Sequence, residues 1–161
     1  MGLLTALVAA VTLALRIPMP ATEGYLNLGD AVIVAGALLF GPVAGALAGG
    51  VGSALADLYG GYSHWVPFTL LIKGCEGYAI GRLSHRIWCR RSGTRRLAFA
   101  LPGTVVGLTI MVAGYFAVEC QLYSLGPALA SLPGNTAQGA AGALCGIPLA
   151  AALERSGLKR A

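Results

Sequence analysis

The chain alternates between long apolar stretches and short interruptions rich in glycine, proline and polar residues. The apolar stretches cover residues 3–15, 31–40, 43–58, 66–81, 97–118 and about 137–153. The interruptions are PMPATEG at 18–24, GGYSH at 60–64, CRRSGTRR at 89–96 and SLPGN at 131–135. Neither an internal repeat nor a low-complexity linker divides the sequence. The pattern predicts a single domain, residues 1–161, made of helices that are apolar along most of their length.

The second apolar stretch, residues 31–40, is unusually short. Ten helical residues extend about 15 Å, which is half of a hydrocarbon core about 30 Å thick. Gly41-Pro42 closes the stretch and is a strong helix breaker. One continuous helix over 30–59 would extend about 45 Å and would have to tilt strongly. We therefore predict two helices here and six in the whole chain; one kinked helix would make five.

Composition decides the environment of these helices. Hydrophobic residues occupy 57% of the positions and charged residues only 11%, against about 25% charged residues in soluble domains. A soluble protein of this size could not bury so much apolar surface. The 24 glycines suit closely packed membrane helices. These features predict an all-α integral membrane protein, a bundle of six transmembrane helices in a lipid bilayer.

Positive charge is concentrated in two clusters beside apolar stretches. The first comprises Arg82, Arg86, Arg90, Arg91, Arg95 and Arg96, and the second Arg155, Lys159 and Arg160. Two spans separate the clusters, so both lie on one side, which the positive-inside rule makes cytoplasmic. With six helices the N- and C-termini are cytoplasmic, whereas five helices would place the N-terminus outside. Arginine clusters also bind nucleic acid, but their position beside apolar spans favours the membrane interpretation, so no nucleic-acid partner is predicted.

The N-terminal segment MGLLTALVAAVTLALR could be confused with a signal peptide. It lacks the Lys or Arg that normally precedes the apolar core of a signal peptide, so we interpret it as the first transmembrane helix. Ala6, Ala10 and Ala14 recur every four residues on this helix and allow another helix to approach closely. That helix can belong to this protein or to a membrane partner, and the spacing leaves both open.

Charged residues inside apolar stretches are informative because each costs at least about 2.5 kcal/mol at bilayer depth. Lys73 and Glu76 are three residues apart on one helical face, where they can pair with each other or contact a ligand. Asp57 is interpreted as an interfacial carboxylate slightly in preference to a ligand contact. Asp30 is interpreted as an N-cap for a helix that begins at Ala31.

Glu119 belongs to a group of polar and aromatic residues expected near the outer end of the bundle. The other members are Trp65, Tyr115, Tyr123, Asn135 and Gln138. Asn135 and Gln138 are three residues apart and share a helical face, although Asn135 could instead cap a helix after Pro133. Aromatic rings supply stacking area, and amides supply donors and acceptors. The group is therefore suited to binding a small planar polar molecule.

Motifs typical of phosphate binding, hydrolysis and metal binding are absent from the sequence. It contains no GxxxxGK[ST], HExxH or GxSxG, and GGVGSALAD departs from GxGxxG because Leu55 takes the place of the last glycine. The four cysteines are far apart and form no CxxC motif. We therefore predict no catalytic residue, metal ligand or cofactor, and a protein that is not an enzyme.

Five motifs, in this order, carry a resemblance to a known family. They are LRIPMP, GYLNLGDAVIVAGALLFGPVAGALAGGVGSALADLYGGY, PFTLLIKGCEGYAIG, AGYFAVE and LPGNTAQ. Nearly the whole chain resembles the substrate-binding S components of energy-coupling factor (ECF) vitamin transporters, in the riboflavin and hydroxymethylpyrimidine/pyridoxine-type branch. The resemblance is specific for the family and not for one vitamin.

The resemblance implies a multi-pass protein of the prokaryotic plasma membrane, with an outward-facing vitamin pocket capped by loops 17–29 and 59–65. It implies a coupling membrane subunit and two cytoplasmic ATPases as partners, and ligand delivery by reorientation in the membrane. The alanine stripe on the first helix matches the family's surface for the coupling subunit. Matches in AGYFAVE and PGNTAQ imply ligand contacts for Glu119, Asn135 and Gln138, and Lys73 matches the IKG motif.

The expected ligand is a small aromatic heterocycle: a hydroxymethylpyrimidine, pyridoxine or a flavin. A small pocket rimmed by Tyr and Trp slightly favours the first two. Two alternatives stay open, a solitary S-component-like transporter and a membrane enzyme or scaffold. An enzyme would need an acid–base pair, and Lys73 with Glu76 is the one sequence-local pair that could supply it.

Overall fold

The computed structural model of the protein describes residues 1–90 and 95–156. Within these residues the chain forms six helices and one two-stranded antiparallel sheet. In chain order the elements are α1 (Gly2–Ala14), β1 (Arg16–Met19), β2 (Gly24–Asn27), α2 (Gly29–Phe40), α3 (Pro42–Gly60), α4 (Val66–Arg90), α5 (Arg95–Tyr123) and α6 (Leu125–Arg155). The predicted charge clusters are only partly described, because Arg91, Lys159, Arg160 and the side chain of Arg95 lie outside this part of the chain.

The short helix α2 occupies the centre of the bundle. Every residue from Gly29 to Leu39 is buried, and α2 contacts α1, α3, α4 and α6. A helix that is surrounded on all sides can be apolar around its whole circumference, which explains the uninterrupted run AVIVAGALLF. The break between α2 and α3 confirms the predicted turn, since Gly41 has a φ of +89° and Pro42 occupies the first turn of α3.

The segment between α1 and α2 is a β-hairpin, which corrects the prediction of an entirely helical protein with a plain loop at 17–29. Strands β1 and β2 pair antiparallel, with Arg16 opposite Asn27 and Met19 opposite Gly24. Pro18 fits at the edge of a two-stranded ribbon because it need not donate a ladder hydrogen bond there. The proline- and glycine-rich sequence had indicated a loop, and only pairing of the two strands makes it regular structure.

Helix α6 is longer than predicted. It begins at Leu125 and passes through SLPGN at 131–135, which excludes the alternative that Asn135 caps a helix. Pro133 and Pro148 both lie inside the helix. Proline is tolerated in apolar bundle helices because hydroxyl side chains and neighbouring helices satisfy the freed backbone groups. On either side of Pro133 the hydroxyl groups of Ser131 and Thr136 donate to the carbonyl oxygens of Ala128 and Leu132, which are not the carbonyl freed by the proline.

Helices α3 and α4 cross in close backbone contact at two glycines. A Cβ atom on Gly77 would lie 2.1 Å from the carbonyl oxygen of Gly45, and a Cβ atom on Gly45 would lie 2.4 Å from that of Gly77. This contact sets the short distance between α3 and α4. Glycine is required at both positions because any side chain would separate the two helices.

The bundle has two chemically different ends. The hairpin lies at one end, where Arg16 bonds to the carbonyl oxygen of Gly60. At the other end Arg96 pairs with Glu154, and His85 lies beside the carbonyl oxygen of Leu38. Two helices, α5 from Arg96 onward and α6, are long and apolar enough to cross a membrane, and α1 and α2 are shorter apolar helices.

Candidate functional site

A small cavity lies inside the hairpin end of the bundle, between the hairpin and helices α1, α3, α4, α5 and α6. The cavity has a volume of about 30 Å³. Its walls are formed by Thr12, Met19, Gly24, Tyr25, Asn27, Ser53, Asp57, Trp65, Thr69, Lys73, Tyr115, Glu119, Asn135 and Gln138. Helical spacing assembles this wall, since Thr69 and Lys73 are four apart on α4 and Tyr115 and Glu119 are four apart on α5.

Three buried charged side chains form the inner part of the site. Lys73 pairs with Asp30, and its Nζ lies 3.0 Å from Oε2 of Glu76. Of the two alternatives left open for Lys73 and Glu76, the structure shows that they pair, and Lys73 also lines the cavity. The interpretation of Asp30 as an N-cap was wrong, because α2 begins at Gly29 and the Asp30 carboxylate bonds to side chains of α4 and α6 instead. A lysine between two carboxylates is an arrangement that can persist in a low-dielectric interior.

Glu119 projects from α5 toward one face of α6. Its carboxylate accepts hydrogen bonds from the hydroxyl group of Ser131 and from Nδ2 of Asn135, the latter at 3.4 Å. Ser131, Asn135 and Gln138 recur at helical spacing, so all three lie on the buried face of α6. Glu119 is 2% exposed. Its carboxylate and the two amides of α6 therefore present several donors and acceptors within one enclosed region.

The hairpin closes the cavity through two side-chain contacts. The backbone N–H of Asn27 donates to Oε1 of Gln138 at 2.8 Å, and Nε2 of Gln138 donates to Asp30 at 2.8 Å. The hydroxyl group of Tyr25 donates to Oδ1 of Asp57 at 2.6 Å. Burial and the neighbouring Asp57 carboxylate raise the pKa of Tyr25, so its phenol stays protonated and keeps this bond. About 30 Å³ accommodates roughly two water molecules, so the cavity in this arrangement of the hairpin is smaller than a ring-sized ligand.

Aromatic side chains form the wall beside the α3–α4 connection. The rings of Trp65 and Tyr115 are 5.8 Å apart in an edge-on arrangement, and the hydroxyl group of Tyr115 bonds to Thr69 at 3.2 Å. Tyr123 packs against the outer side of Trp65 and lies 3.1 Å from Nε2 of His64. Trp65 and Tyr115 are therefore available for contact with a planar ring, whereas Tyr123 supports Trp65 from outside the cavity.

Several polar atoms of the cavity wall have no hydrogen-bond partner among the described residues. They are Oγ1 of Thr12, Oδ2 of Asp57 and Nε1 of Trp65. Each is buried, and a buried polar group without a partner costs about 1–3 kcal/mol. These three atoms, among seven such atoms in the described residues, offer a ligand in the cavity both a donor and acceptors.

The structure brings six of the seven predicted ligand residues to this cavity; Tyr123 is the exception. Asp57 lies in the wall and is 4% exposed, which differs from the preferred interpretation as an interfacial carboxylate. Tyr25, Asn27, Thr12 and Ser53 had not been predicted. The hairpin residues carry no periodic signal, and Thr12 and Ser53 look like small packing residues in apolar helices. In the described part of the chain no group of three or more His, Cys, Asp or Glu is placed to hold a metal ion.

Comparison with known proteins relates the chain to transporters. Residues 1–155 match the family described as "ECF-type riboflavin transporter, S component". The chain is 33% identical over 155 residues to the thiamine precursor transporter HmpT of Lactococcus lactis, covering 96% of this chain and 85% of that protein. It is 45% identical over 139 residues to an uncharacterized protein of the gap 3′ region of Pyrococcus woesei, covering 86% of this chain and 88% of that protein.

Proposed function

Since this chain belongs to the S-component family of ECF-type riboflavin transporters, a membrane-embedded transporter family of prokaryotes, we propose that it is a vitamin-binding subunit for a small single-ring heterocycle. The ligand would bind in the cavity under the hairpin. The observation that carries the proposal is the convergence of Glu119, Asn135, Gln138 and three unpartnered polar atoms on that cavity. Catalysis forms no part of this function, because proteins of this family transport their ligand without changing it chemically.

A thiamine precursor of the hydroxymethylpyrimidine type is the ligand class we favour. Its ring would stack on Trp65 and Tyr115, its amino and hydroxyl groups would donate to Glu119 and Asp57, and its ring nitrogens would accept from Asn135. Similarity to HmpT over nearly the whole chain supports this choice. Riboflavin is the competing ligand, because the family carries its name.

Native mass spectrometry of the gently purified protein, followed by titration, tests the ligand class. We expect retention or tight binding of a hydroxymethylpyrimidine, weaker binding of pyridoxine and no binding of riboflavin. Tight binding of riboflavin would change the proposed ligand to riboflavin and would leave the proposed site unchanged. The absence of binding to all three would contradict the proposal.

Replacing Glu119 or Gln138 with alanine is expected to weaken binding of that ligand by about 10- to 100-fold, the effect of losing one hydrogen bond to or from a charged or buried group. Isothermal titration calorimetry in detergent measures the change. Gln121→Ala is the matched control, because Gln121 is exposed on the same helix only two residues from Glu119. Equal affinities in both variants and the control would refute this site.

We also propose the arrangement in the membrane. All six helices would cross the bilayer, with the hairpin outside and the arginine-rich end in the cytoplasm, so that both termini are cytoplasmic. The excess of arginine at the end that carries Arg82, Arg86 and Arg96 supports this orientation through the positive-inside rule. Ligand would then enter from outside and leave after reorientation of the protein against a coupling membrane subunit driven by two ATPases.

Helix α1 is the surface we propose for the coupling subunit. Ala6, Ala10 and Ala14 are all exposed, whereas Val8 and Thr12 are buried against the rest of the bundle. The alanine stripe therefore lies outside the internal packing and can receive a helix of another subunit closely.

Replacing Ala10 with leucine is expected to reduce co-purification of the coupling subunit by severalfold while leaving ligand affinity within about twofold, because the larger side chain prevents close helix approach. Affinity capture of the tagged protein, co-expressed with the coupling subunit and ATPases of the same genome, provides the measurement. Ala117→Leu, at an exposed position on α5, serves as control. Equal capture of the subunit by both variants would exclude this face of α1.

A further inference from the structure

A basic groove lies at the arginine-rich end of the bundle, on the outer face between α3 and α4. It encloses about 330 Å³ and is lined by Pro42, Val43, Tyr78, Gly81, Arg82, His85 and Arg86. Arg82 and Arg86 are four residues apart and therefore extend over the same face of α4. His85 is fixed in the wall by the carbonyl oxygen of Leu38, 2.8 Å from its Nδ1. None of the lining residues is acidic.

The two arginines of this groove have no internal role. Both are exposed, and neither forms an ion pair or hydrogen bond with any described residue. Arg96 differs, because it pairs with Glu154 and packs over the ring of Trp88. Two free guanidinium groups in one concave surface make a favourable position for a phosphate group, which arginine binds through several N–H donors at once.

An apolar groove continues from the basic groove along α4, with residues of α3 and α5 in its walls. It is lined by Ala46, Leu70, Leu71, Gly74, Cys75, Tyr78, Ala79 and Ile110. Tyr78 borders both grooves, so the basic and apolar parts are adjacent. Leu71 lies eleven residues before Arg82, a distance of about 17 Å along α4. That length is close to one leaflet, half of a hydrocarbon core about 30 Å thick.

We propose that this composite surface, the α3–α4 groove, binds one anionic phospholipid of the cytoplasmic leaflet. The phosphate-bearing headgroup would lie between Arg82 and Arg86, and one hydrocarbon chain would lie along Tyr78, Cys75 and Leu71. A soluble phosphate compound would use only the basic part and would leave the apolar part uncovered, so charge and length together specify a lipid. The inference rests on the proposed orientation of the arginine-rich end and is independent of the vitamin site.

Lipid retention by the purified protein tests this inference. The protein is incubated in detergent with phosphatidylglycerol or phosphatidylcholine, and native mass spectrometry counts the lipids that remain bound. We expect one phosphatidylglycerol to be retained in preference to phosphatidylcholine. The double variant Arg82→Gln/Arg86→Gln should lower that retention by about tenfold or more, since each arginine near a lipid headgroup strengthens binding severalfold. Arg90→Gln/Arg155→Gln removes the same charge outside the groove and should leave retention within about twofold.

A second pair of variants tests the apolar part. Cys75→Trp fills the groove at an exposed position and should lower phosphatidylglycerol retention severalfold, whereas Cys145→Trp, exposed on α6, should not. Displacement of the lipid by millimolar inorganic phosphate would assign the site to soluble phosphate and overturn the inference. Equal losses in the groove and control variants would also overturn it. Vitamin binding by the same samples, measured in parallel, is expected to stay unchanged in the arginine variants, which separates this result from failure of the proposed function.

Discussion

Replacing Lys73 with methionine is expected to lower the free energy of unfolding by about 3–5 kcal/mol. Lys73 is 2% exposed and lies between the carboxylates of Asp30 and Glu76, both of which are fully buried. Methionine keeps a similar volume but leaves two carboxylates without a counter-charge in the interior. Thermal unfolding in detergent, followed by tryptophan fluorescence, measures the loss. The same variant should also bind ligand weakly, because Lys73 lines the cavity.

Two companion variants make this result specific to the buried charges. Arg90→Met removes an exposed cation from the same helix and should change stability by less than about 0.5 kcal/mol. Asp30→Asn/Lys73→Met/Glu76→Gln removes all three formal charges together and should recover most of the stability lost by Lys73→Met alone. If the Lys73→Met variant were as stable as the unaltered protein, the three charges would not stabilise one another.

Replacing Gly77 with alanine is expected to destabilise the protein by about 1–3 kcal/mol. The value should lie toward the upper end of this range, because the added Cβ atom meets a backbone atom, which cannot move aside as a side chain can. The added Cβ would lie 2.1 Å from the carbonyl oxygen of Gly45, so α3 and α4 must move apart. The movement would also displace Lys73 and Glu76, which lie within one turn of Gly77 on α4. We therefore expect the midpoint of unfolding and the ligand affinity to fall together.

Gly74→Ala is the matched control for this prediction. Gly74 lies three residues away on the same helix, but a Cβ there would meet its nearest neighbour, the carbonyl oxygen of Ala46, at 3.6 Å, an ordinary contact. Alanine favours helix by up to about 1 kcal/mol over glycine, so this variant should be neutral or slightly more stable. A result in which Gly74→Ala and Gly77→Ala lose equal stability would contradict close approach at Gly45 and Gly77.

The helix-to-helix break at Gly41-Pro42 and the shared face of Asn135 and Gln138 could be predicted because both depend on local rules. Proline stops a helix for steric reasons, and residues three apart lie on one helical face whatever surrounds them. The possibility of pairing between Lys73 and Glu76, one of two alternatives left open, rested on the same rule, since both residues are on one helix. These features needed no knowledge of how the helices pack.

The errors concern residues whose roles depend on distant partners. Asp30 has the local sequence of a helix cap, but its carboxylate bonds to Lys73 and Gln138. These residues are 43 and 108 positions away in the chain. Pro133 has the appearance of a helix stop, yet α6 continues through it inside a packed bundle. The hairpin could not be predicted from its proline-rich sequence, because its strands exist only by pairing with each other.

Apolar length, charge position and motif order are properties of the chain alone, so they were enough to identify a helical membrane protein of the S-component family. The tertiary structure decided which polar side chains meet. Tyr25 and Asp57, or Glu119 and Ser131, come together only when the hairpin and the helices fold against one another. Helical period sets the face on which a side chain lies, but packing between distant segments sets the partner opposite that face, and the candidate site consists of such partners.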